Sequence, residues 1–251
     1  FNLMKPRVMS LVLFTSMVGL LIAPEKVSFT VSIISLFAVA LGAGAAGALN
    51  MWYESDLDAL MTRTCLRPIP TGRVQKNQAL WFGVILSVIS ISLLYFTANL
   101  VSSILLAITI GFYFFIYTIW LKRRTPQNIV IGGAAGALPP VIGWAIATNS
   151  ISAESIILFL IIFIWTPSHF WALSLYKSND YKKAKIPMLP ITSGIQTTKL
   201  NILIYSLLMA PVVALPYFFN FGGLFYLTLS SIMTSYYVYL CAILFKEKKN
   251  K

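Results

Sequence analysis

Three oxygen-bearing side chains, Asn50, Glu54 and Asp58, recur at every fourth position of the segment NMWYESDLDALM. Because a helix has 3.6 residues per turn, positions four apart share one face, and we expect these side chains to form a row. Amide and carboxylate oxygens are hard ligands, and Mg²⁺ combines a few of them with water and phosphate oxygens. The spacing therefore predicts a magnesium site, whereas Asp56 falls on another face of the helix and fits the row less well.

Two arginines follow this row. Arg63 and Arg67 are also four residues apart, and the sequence RPIPTG then ends the segment. A guanidinium group carries paired N–H donors that match two phosphate oxygens, so arginine suits phosphate recognition. Metal ligands followed by phosphate ligands are the arrangement that a bound diphosphate requires. The alternative interpretation is a solvated acidic helix end that binds nothing.

Two further polar segments carry candidate site residues. SLYKSNDYKKAKIPMLP contains Asp180, the only acid of its loop, together with Lys182, and YTIWLKRRTPQN contains Lys122 and Arg123. We expect both segments on the same side of the membrane as the row, where they complete the site. The alternative is that these basic loops set the topology and bind lipid headgroups, which leaves Asp180 and the row unexplained.

The chain has a single histidine, His169, in the sequence WTPSHFWAL. A neutral imidazole there is able to ligate a metal ion, or it hydrogen-bonds a diphosphate. The alternative is a histidine that only packs between helices, although ionisable groups inside a membrane are costly and usually functional. Pro167 is expected to disturb the helix just before His169 and to place that residue at the mouth of a cavity.

The composition indicates the elements that must position these residues. Of the 251 residues, 58% are hydrophobic and 10% are charged, and the mean hydropathy is +0.82. A soluble domain of this size needs roughly a quarter of charged residues for its surface, so we predict an integral membrane protein. Apolar runs of about 20 residues span a bilayer. We predict eight such spans: 7–24, 28–50, 77–97, 99–120, 127–148, 152–174, 200–218 and 222–245.

The distribution of charge predicts the topology. The formal net charge is +12, yet with these spans Lys26 is the only basic residue on one side of the membrane. The other side carries the N-terminal tail, three basic loops and the C-terminal tail. This asymmetry is the positive-inside pattern, so we expect both ends and the candidate site on the cytoplasmic side. The pattern argues against nucleic acid as the reason for the charge.

Other sequence features indicate structural roles. Cys65 and Cys241 are too few for a disulfide framework or a zinc knuckle. The stretch GGAAGALPP, residues 132–140, is rich in small residues that allow close helix packing, and its proline pair is expected to break or kink the fifth span. We expect one transmembrane domain over 1–251. The chain starts with Phe1 and ends in KEKKNK, so trimmed ends and a further helix after Lys251 stay open.

At this point the motifs resemble a known family. N-x3-E-x-D-x-D followed by RT-x2-RPIPTG is similar to the first aspartate-rich motif of the UbiA-type intramembrane prenyltransferases. Three stretches, at 117–144, 165–176 and 180–190, are similar to the protoheme IX farnesyltransferases (haem O synthases) of that superfamily. The resemblance runs from about Lys5 to Tyr226. It implies an all-α membrane protein, a ring of about eight to nine transmembrane helices around a central cavity.

The resemblance also implies a reaction and its site. Members join the farnesyl group of farnesyl diphosphate to a vinyl group of haem b, with addition of water, and haem O results. Breakage of the allylic C–O bond is assisted by Mg²⁺ and cationic side chains. By position in the motifs, the Mg²⁺ ligands are Asn50, Glu54, Asp58 and Asp180. The diphosphate contacts are Arg63, Arg67, Lys122, Arg123 and Lys182. With haem as a substrate, His169 becomes either an axial contact to the haem iron or a contact to the diphosphate.

Two departures from the family pattern affect this site. Many relatives carry aspartate where this chain has Glu54, whose arm is longer. The second motif often has paired acids before its tyrosine, and here it reads Asn179-Asp180. The resemblance further implies a multi-pass protein of the bacterial inner membrane or the inner mitochondrial membrane. Haem A synthase or the assembly of a terminal oxidase are the implied partners.

Three rival functions were weighed. A prenyltransferase acting on an aromatic acid such as 4-hydroxybenzoate shares the first motif, but HFWAL and KAKIPMLP argue against it. A transporter or channel is expected to carry its acids deeper in the bilayer and on several helices. A purely structural subunit of a respiratory complex gives no reason for metal ligands beside phosphate ligands.

Overall fold

The computed structural model describes residues 1–247, and this part of the chain is helical with no strand. The predicted basic tail lies largely outside the described residues, as does Lys251. After a short 3₁₀ turn, Asn2–Met4, the α-helices are α1 Pro6–Ile22, α2 Phe29–Tyr53, α3 Ser55–Leu60, α4 Lys76–Thr97, α5 Leu100–Gly111, α6 Asn128–Ala137, α7 Pro139–Thr148, α8 Ala153–Tyr176, α9 Ser178–Lys183, α10 Leu189–Thr192, α11 Ile195–Phe218 and α12 Leu224–Lys246. A π-helical segment, Phe112–Leu121, continues α5.

The predicted spans are apolar helices. Seven of them, within the described residues, are long and apolar enough to cross a membrane, and α1, with 17 residues, is shorter than the others. Exposed Leu, Ile, Phe and Trp side chains cover their outer faces, as expected for helices in contact with lipid. The prediction of an all-α membrane protein is confirmed.

The fifth predicted span is broken where its prolines occur. Helix α6 ends at Ala137 and α7 begins at Pro139. Proline at the first position of a helix is favourable, because its fixed φ suits the helix and its missing N–H would have had no partner there. Asn149, at φ 50°, ends α7 in the left-handed conformation. The predicted break is thus confirmed.

Glycines let α1 and α7 approach backbone to backbone. A Cβ built on Gly143 would lie 1.8 Å from the carbonyl oxygen of Ser16, and one on Gly19 would lie 2.0 Å from that of Pro140. Any larger residue would force the helices apart. Since lipid is as apolar as the helix surfaces, such close van der Waals contact is a main source of association within a membrane.

The helices pack largely in the order of the chain. Helix α2 lies between α1 and α4, α4 packs on α5, the π-helical segment packs on α6, α6 on α8, α8 on α11 and α11 on α12, while α1 also contacts α7. This succession is the helical ring that the fold class predicts. It brings the loops after α2, the π-helical segment and α8 to the same end of the molecule, together with the N-terminus.

Two helices differ from what the sequence predicted. Pro167 was expected to disturb its helix, but α8 is uninterrupted from Ala153 to Tyr176. The hydroxyl of Thr166 donates to the Ile162 carbonyl at 2.6 Å, within the same turn. The second difference is the π-helical segment, which no sequence signal indicated. Its backbone hydrogen bonds join residues five apart, as when the Lys122 N–H donates to the Tyr117 carbonyl at 3.0 Å.

Candidate active site

The three predicted ligands lie where α2 meets α3. Helix α2 ends at Tyr53, one residue before Glu54, so the continuous helix that the sequence predicted is interrupted. The helical bonding nevertheless carries across, because Glu54 N–H donates to the Asn50 carbonyl at 2.9 Å and Asp58 N–H to the Glu54 carbonyl at 2.8 Å. The three side chains, here called the oxygen row, are therefore buried together, with exposed fractions of 1%, 1% and 3%.

Asn50 is held from two sides. Its amide nitrogen Nδ2 donates to the hydroxyl oxygen of Thr118 at 3.0 Å. Its amide oxygen Oδ1 accepts a hydrogen bond from the ammonium of Lys5. Thr118 comes from the π-helical segment and Lys5 from the N-terminus, so one amide joins three parts of the chain.

Glu54 receives a lysine on one carboxylate oxygen only. Lys122 Nζ lies 2.5 Å from Oε2 of Glu54. The other oxygen, Oε1, is buried and has no hydrogen-bond partner among the described residues. A buried carboxylate oxygen without a partner is costly unless a ligand satisfies it, so Glu54 has a free position for a cation.

Asp58 is fully engaged by an arginine. Nη1 of Arg67 lies 2.7 and 2.8 Å from its two carboxylate oxygens. The pair spans the turns Met61–Cys65 and Thr64–Arg67, which reverse the chain after α3. The reversal places Arg67 back over the row, nine residues after Asp58.

Lys5 is a residue of this site that the sequence reasoning missed. Its pKa is lowered to about 7, first because burial disfavours its charge and next because Arg67 repels it, while Glu54 and Asp58 act in the opposite direction. Lys5 reaches the row because Met4 packs against the backbone of Gly44 on α2. The only available signal was the glycine-rich stretch of α2, which admits this close approach.

The site thus contains three cationic side chains, Lys5, Arg67 and Lys122, against two carboxylates. With Lys5 protonated, the cluster carries an excess of one positive charge. A cluster of partly buried cations whose carboxylate partners are too few favours an additional anion. It is therefore suited to a multiply charged phosphate group.

Two tyrosines of the π-helical segment lie beside the cations. The ring centroids of Tyr113 and Tyr117 are 5.3 Å apart, and Lys122 Nζ lies 5.8 Å from the centre of the Tyr117 ring. Gly132 of α6 makes room for this ring, since a Cβ there would lie 2.2 Å from Tyr117 Cδ2. The first glycine of GGAAGALPP therefore makes room for an aromatic side chain next to the site, whereas Gly133 faces Thr166.

Arg123, also predicted as a phosphate contact, pairs elsewhere. Its two terminal nitrogens lie 3.0 and 2.8 Å from the carboxylate of Asp56, and its guanidinium lies 5.0 Å from the ring centre of Tyr53. Partial burial raises the pKa of Asp56, but the hydrogen bond from Arg123, backbone N–H donors and the charge of Arg123 together outweigh it and hold that pKa below its usual range. This pair is exposed and lies apart from the oxygen row.

Asp180 meets the loop that follows the row, not the row itself. The hydroxyl of Thr62 lies 2.7 Å from both of its carboxylate oxygens. Within residues 1–247 no group of three acidic, histidine or cysteine side chains is arranged to hold a metal. Lys182 and Arg63 are exposed on the same end of the molecule.

His169 lies on an exposed face of α8. Its ring stacks on Trp165 with centroids 4.4 Å apart and an interplanar angle of 20°, and it meets the edge of Phe170 at 5.4 Å. Trp165 and His169 form a stacked aromatic pair with one polar tip, and Phe170 lies nearly perpendicular to the His169 ring. This arrangement suits a planar ligand, and it tests none of the three roles considered for His169.

Comparison with known proteins was made for sequence and structure. The profile of the UbiA prenyltransferase family matches residues 12–251. A protoheme IX farnesyltransferase of Pelagibacter ubique is 68% identical over 251 residues, which are 100% of this chain and 83% of that protein. One from Ehrlichia ruminantium is 59% identical over 216 residues, covering 86% of this chain and 73% of that protein.

Solved structures share the fold at lower identity. A structure described for digeranylgeranylglyceryl phosphate synthase has a TM-score of 0.83 at 21% identity, covering 99% of this chain and 87% of the other. A UbiA homologue from Archaeoglobus fulgidus, bound to DMAPP and Mg²⁺, has a TM-score of 0.75 at 16% identity, covering 96% and 85%. These likenesses establish the helical architecture.

Proposed function

The chain belongs to the UbiA prenyltransferase family and, within it, to the protoheme IX farnesyltransferases, and on this premise we propose how it transfers a farnesyl group to haem b. The C–O bond between the farnesyl group and diphosphate breaks. A new C–C bond forms between the farnesyl C1 and the terminal vinyl carbon of haem b, and water adds its hydroxyl to the inner vinyl carbon and releases a proton. The products are haem O and diphosphate.

The observation that carries this proposal is the cluster of three partly buried cations, Lys5, Arg67 and Lys122, against the buried oxygen row. An allylic diphosphate leaves as a multiply charged anion, and fixed positive charge in a water-poor site stabilises that charge as it develops. Arg67 and Lys122 are positioned to bind the leaving diphosphate, since each is held by a single carboxylate at the same end of the molecule. Lys5 adds a third donor from the N-terminus.

The oxygen row fits Mg²⁺ by the chemistry of its donors. Glu54 Oε1 is buried and has no hydrogen-bond partner within residues 1–247. Asn50 and Asp58 supply further hard oxygens, and Asp180 lies on a neighbouring loop. With few protein ligands, the remaining positions suit water and phosphate oxygens. When bound, Mg²⁺ supplies additional positive charge to the leaving diphosphate. The Mg²⁺ bound to the Archaeoglobus homologue supports this assignment.

The cations have two alternative sets of partners. Lys122 and Arg67 form ion pairs with Glu54 and Asp58. A diphosphate offers stronger acceptors to the same donors, because its charge is greater than that of a carboxylate. We infer that both side chains turn to the diphosphate when it binds, which frees carboxylate oxygens of the row. Arg63, Arg123 and Lys182 stay proposed contacts at the outer edge.

The aromatic residues protect the allylic group. The faces of Tyr113 and Tyr117 carry partial negative charge that favours a nearby cation. Together with the apolar span around them they keep water from the farnesyl C1 until it meets the vinyl group. The two rings lie beside Lys122, where the end of the farnesyl chain that bears the diphosphate is expected.

For haem we propose the aromatic surface of α8. The stacked rings of Trp165 and His169 offer a flat apolar face to a porphyrin. His169 is proposed as a substrate-facing contact. The variant His169→Ala distinguishes three roles. A changed visible spectrum of bound haem with weaker haem binding indicates that His169 ligates the iron, and weaker binding of farnesyl diphosphate indicates a contact to that substrate. Lower thermal stability with both affinities unchanged indicates that His169 only packs.

We propose that residues 1–251 act as one prenyltransferase domain of a multi-pass protein in the bacterial inner membrane or its mitochondrial equivalent. The site faces the cytoplasm or matrix. Haem A synthase or the assembly of a terminal oxidase are the proposed users of the product, because both take haem O.

One assay tests the function. The purified protein is incubated with haem b, farnesyl diphosphate and Mg²⁺, and haem O is sought by its mass. Parallel reactions contain 4-hydroxybenzoate instead of haem, or EDTA instead of Mg²⁺. Product only with haem and Mg²⁺ is expected; a prenylated aromatic acid, or no product from a folded protein, would overturn the assignment.

A further inference from the structure

The amide of Asn50 has a fixed orientation. An asparagine side chain presents an oxygen on one side and an NH₂ group on the other, and only the oxygen attracts a cation. Here Oδ1 faces the ammonium of Lys5 and Nδ2 faces the hydroxyl of Thr118. Both Asn50 and Thr118 are buried, with exposed fractions of 1% and 0%, so solvent does not set this orientation.

The hydroxyl of Thr118 is able only to accept from Asn50. Its single hydrogen is donated to the carbonyl of Tyr113 at 2.9 Å, five residues earlier. In regular α-helix a threonine hydroxyl reaches back four residues, as Thr109 does to Leu105 at 2.7 Å. The longer reach of Thr118 belongs to the π-helical segment, and it leaves an oxygen lone pair directed at Nδ2 of Asn50.

We propose that Thr118 is a positioning residue for the metal site: it holds Nδ2 of Asn50 and thereby keeps Oδ1 on the opposite side of the amide, where it faces the Lys5 ammonium and is available to a cation. The inference rests on the proposed function, since it concerns the Mg²⁺ that assists diphosphate departure. A reversed amide would set its oxygen against the Thr118 oxygen and its NH₂ group against the Lys5 ammonium. Outer partners of this kind change metal affinity without touching the metal.

The test compares three variants of the full-length protein. Thr118→Val removes the hydroxyl at nearly constant shape, Thr118→Ser restores it, and Thr109→Val is the matched control, a threonine of α5 whose hydroxyl bonds only its own helix. Binding of Mn²⁺ in the presence of inorganic diphosphate is measured by electron paramagnetic resonance, with thermal stability measured alongside. We expect about tenfold weaker Mn²⁺ binding for Thr118→Val and values within about twofold of wild type for the other two.

A second background separates orientation from structural damage. In Asn50→Asp both ligand atoms are oxygens, so orientation no longer matters, and Thr118→Val should not weaken Mn²⁺ binding further there. An equal loss in both backgrounds, or wild-type Mn²⁺ binding by folded Thr118→Val, would overturn the proposal. If Thr118→Val does not fold, Thr118→Ala is measured with the same expectations. Failure of the proposed function is distinct: wild-type protein then makes no haem O, whatever its Mn²⁺ binding.

Discussion

The ring of Tyr117 lies so close to Gly132 that a Cβ on that glycine would be 2.2 Å from Cδ2 of the tyrosine. Because Tyr117 stands beside Lys122, a displaced ring disturbs the cation that lies over Glu54. We therefore expect Gly132→Ala to lower kcat/KM for farnesyl diphosphate at least tenfold. Gly136→Ala is the matched control, since on the same helix a Cβ at Gly136 has nothing within 4 Å. Equal activity of the two variants would remove Tyr117 from the site.

Asp58 is expected to be essential while its neighbour Asp56 is not. Asp58→Asn removes a negative charge from the buried row and should abolish turnover in a protein that still folds and inserts. Asp56→Asn changes an exposed carboxylate that pairs with Arg123, and it should keep activity within about threefold of wild type. Haem O production at limiting Mg²⁺ measures both, and near-normal turnover of Asp58→Asn would contradict the assignment of the row.

Arg67→Ala should weaken binding of farnesyl diphosphate far more than binding of haem. A hydrogen bond to a charged group contributes about 1.5–3 kcal/mol, so a loss of roughly tenfold or more is expected. Arg73→Ala, in the same loop, provides the control, since Arg73 is exposed and reaches only the Leu66 carbonyl at 3.5 Å. Separate titrations with each substrate decide the matter; weaker haem binding with intact diphosphate binding would assign Arg67 to the propionates.

Lys5→Met should weaken the binding of inorganic diphosphate, because the variant removes one of the three partly buried cations of the site at nearly constant length. Arg7→Met provides the comparison, since Arg7 is basic, exposed and only two residues away. Isothermal titration of both proteins measures the affinities, with a loss of fivefold or more expected for Lys5→Met alone. Similar losses in the two variants would indicate that net charge, and not the position of Lys5, governs binding.

The helix ends that lie on the same end of the molecule are predicted to lie on the same side of the membrane. Single cysteines at Gln75 and Gln196 should react from the cytoplasmic side, and those at Asn149 and Asn220 from the opposite side. The measurement uses a membrane-impermeant reagent in a Cys65→Ser, Cys241→Ser background. Labelling of positions 149 and 196 from the same side would contradict the arrangement of the spans.

The sequence predicted much of this site because its chemistry is local. The four-residue spacing of Asn50, Glu54 and Asp58 holds through a helix break, since hydrogen bonds bridge Glu54. The proline break before α7 was likewise predictable, because a proline has no N–H group to donate and so interrupts helical hydrogen bonding at its own position. Membrane spans follow from composition alone.

The rest depends on distant contacts. Lys5 joins the row only because Met4 packs on Gly44, forty residues along the chain, and no local pattern encodes that encounter. The π-helical segment was missed because a regular 3.6-residue period was assumed through it. Pro167 was assigned too strong an effect, because neighbouring side chains and the packing of α8 tolerate a missing N–H in a long helix.

The ion pairs of the oxygen row have a consequence for the end of each reaction cycle. Glu54 and Asp58 pair with Lys122 and Arg67, so these carboxylates compete with the product diphosphate for the same donors. Tight retention of diphosphate would slow turnover. The carboxylates of Glu54 and Asp58 are part of the protein, so they compete with diphosphate at a constant effective concentration. We therefore expect these ion pairs to assist product release: Glu54 and Asp58, which are proposed to hold Mg²⁺ for the substrate, also help to displace the product diphosphate from Lys122 and Arg67.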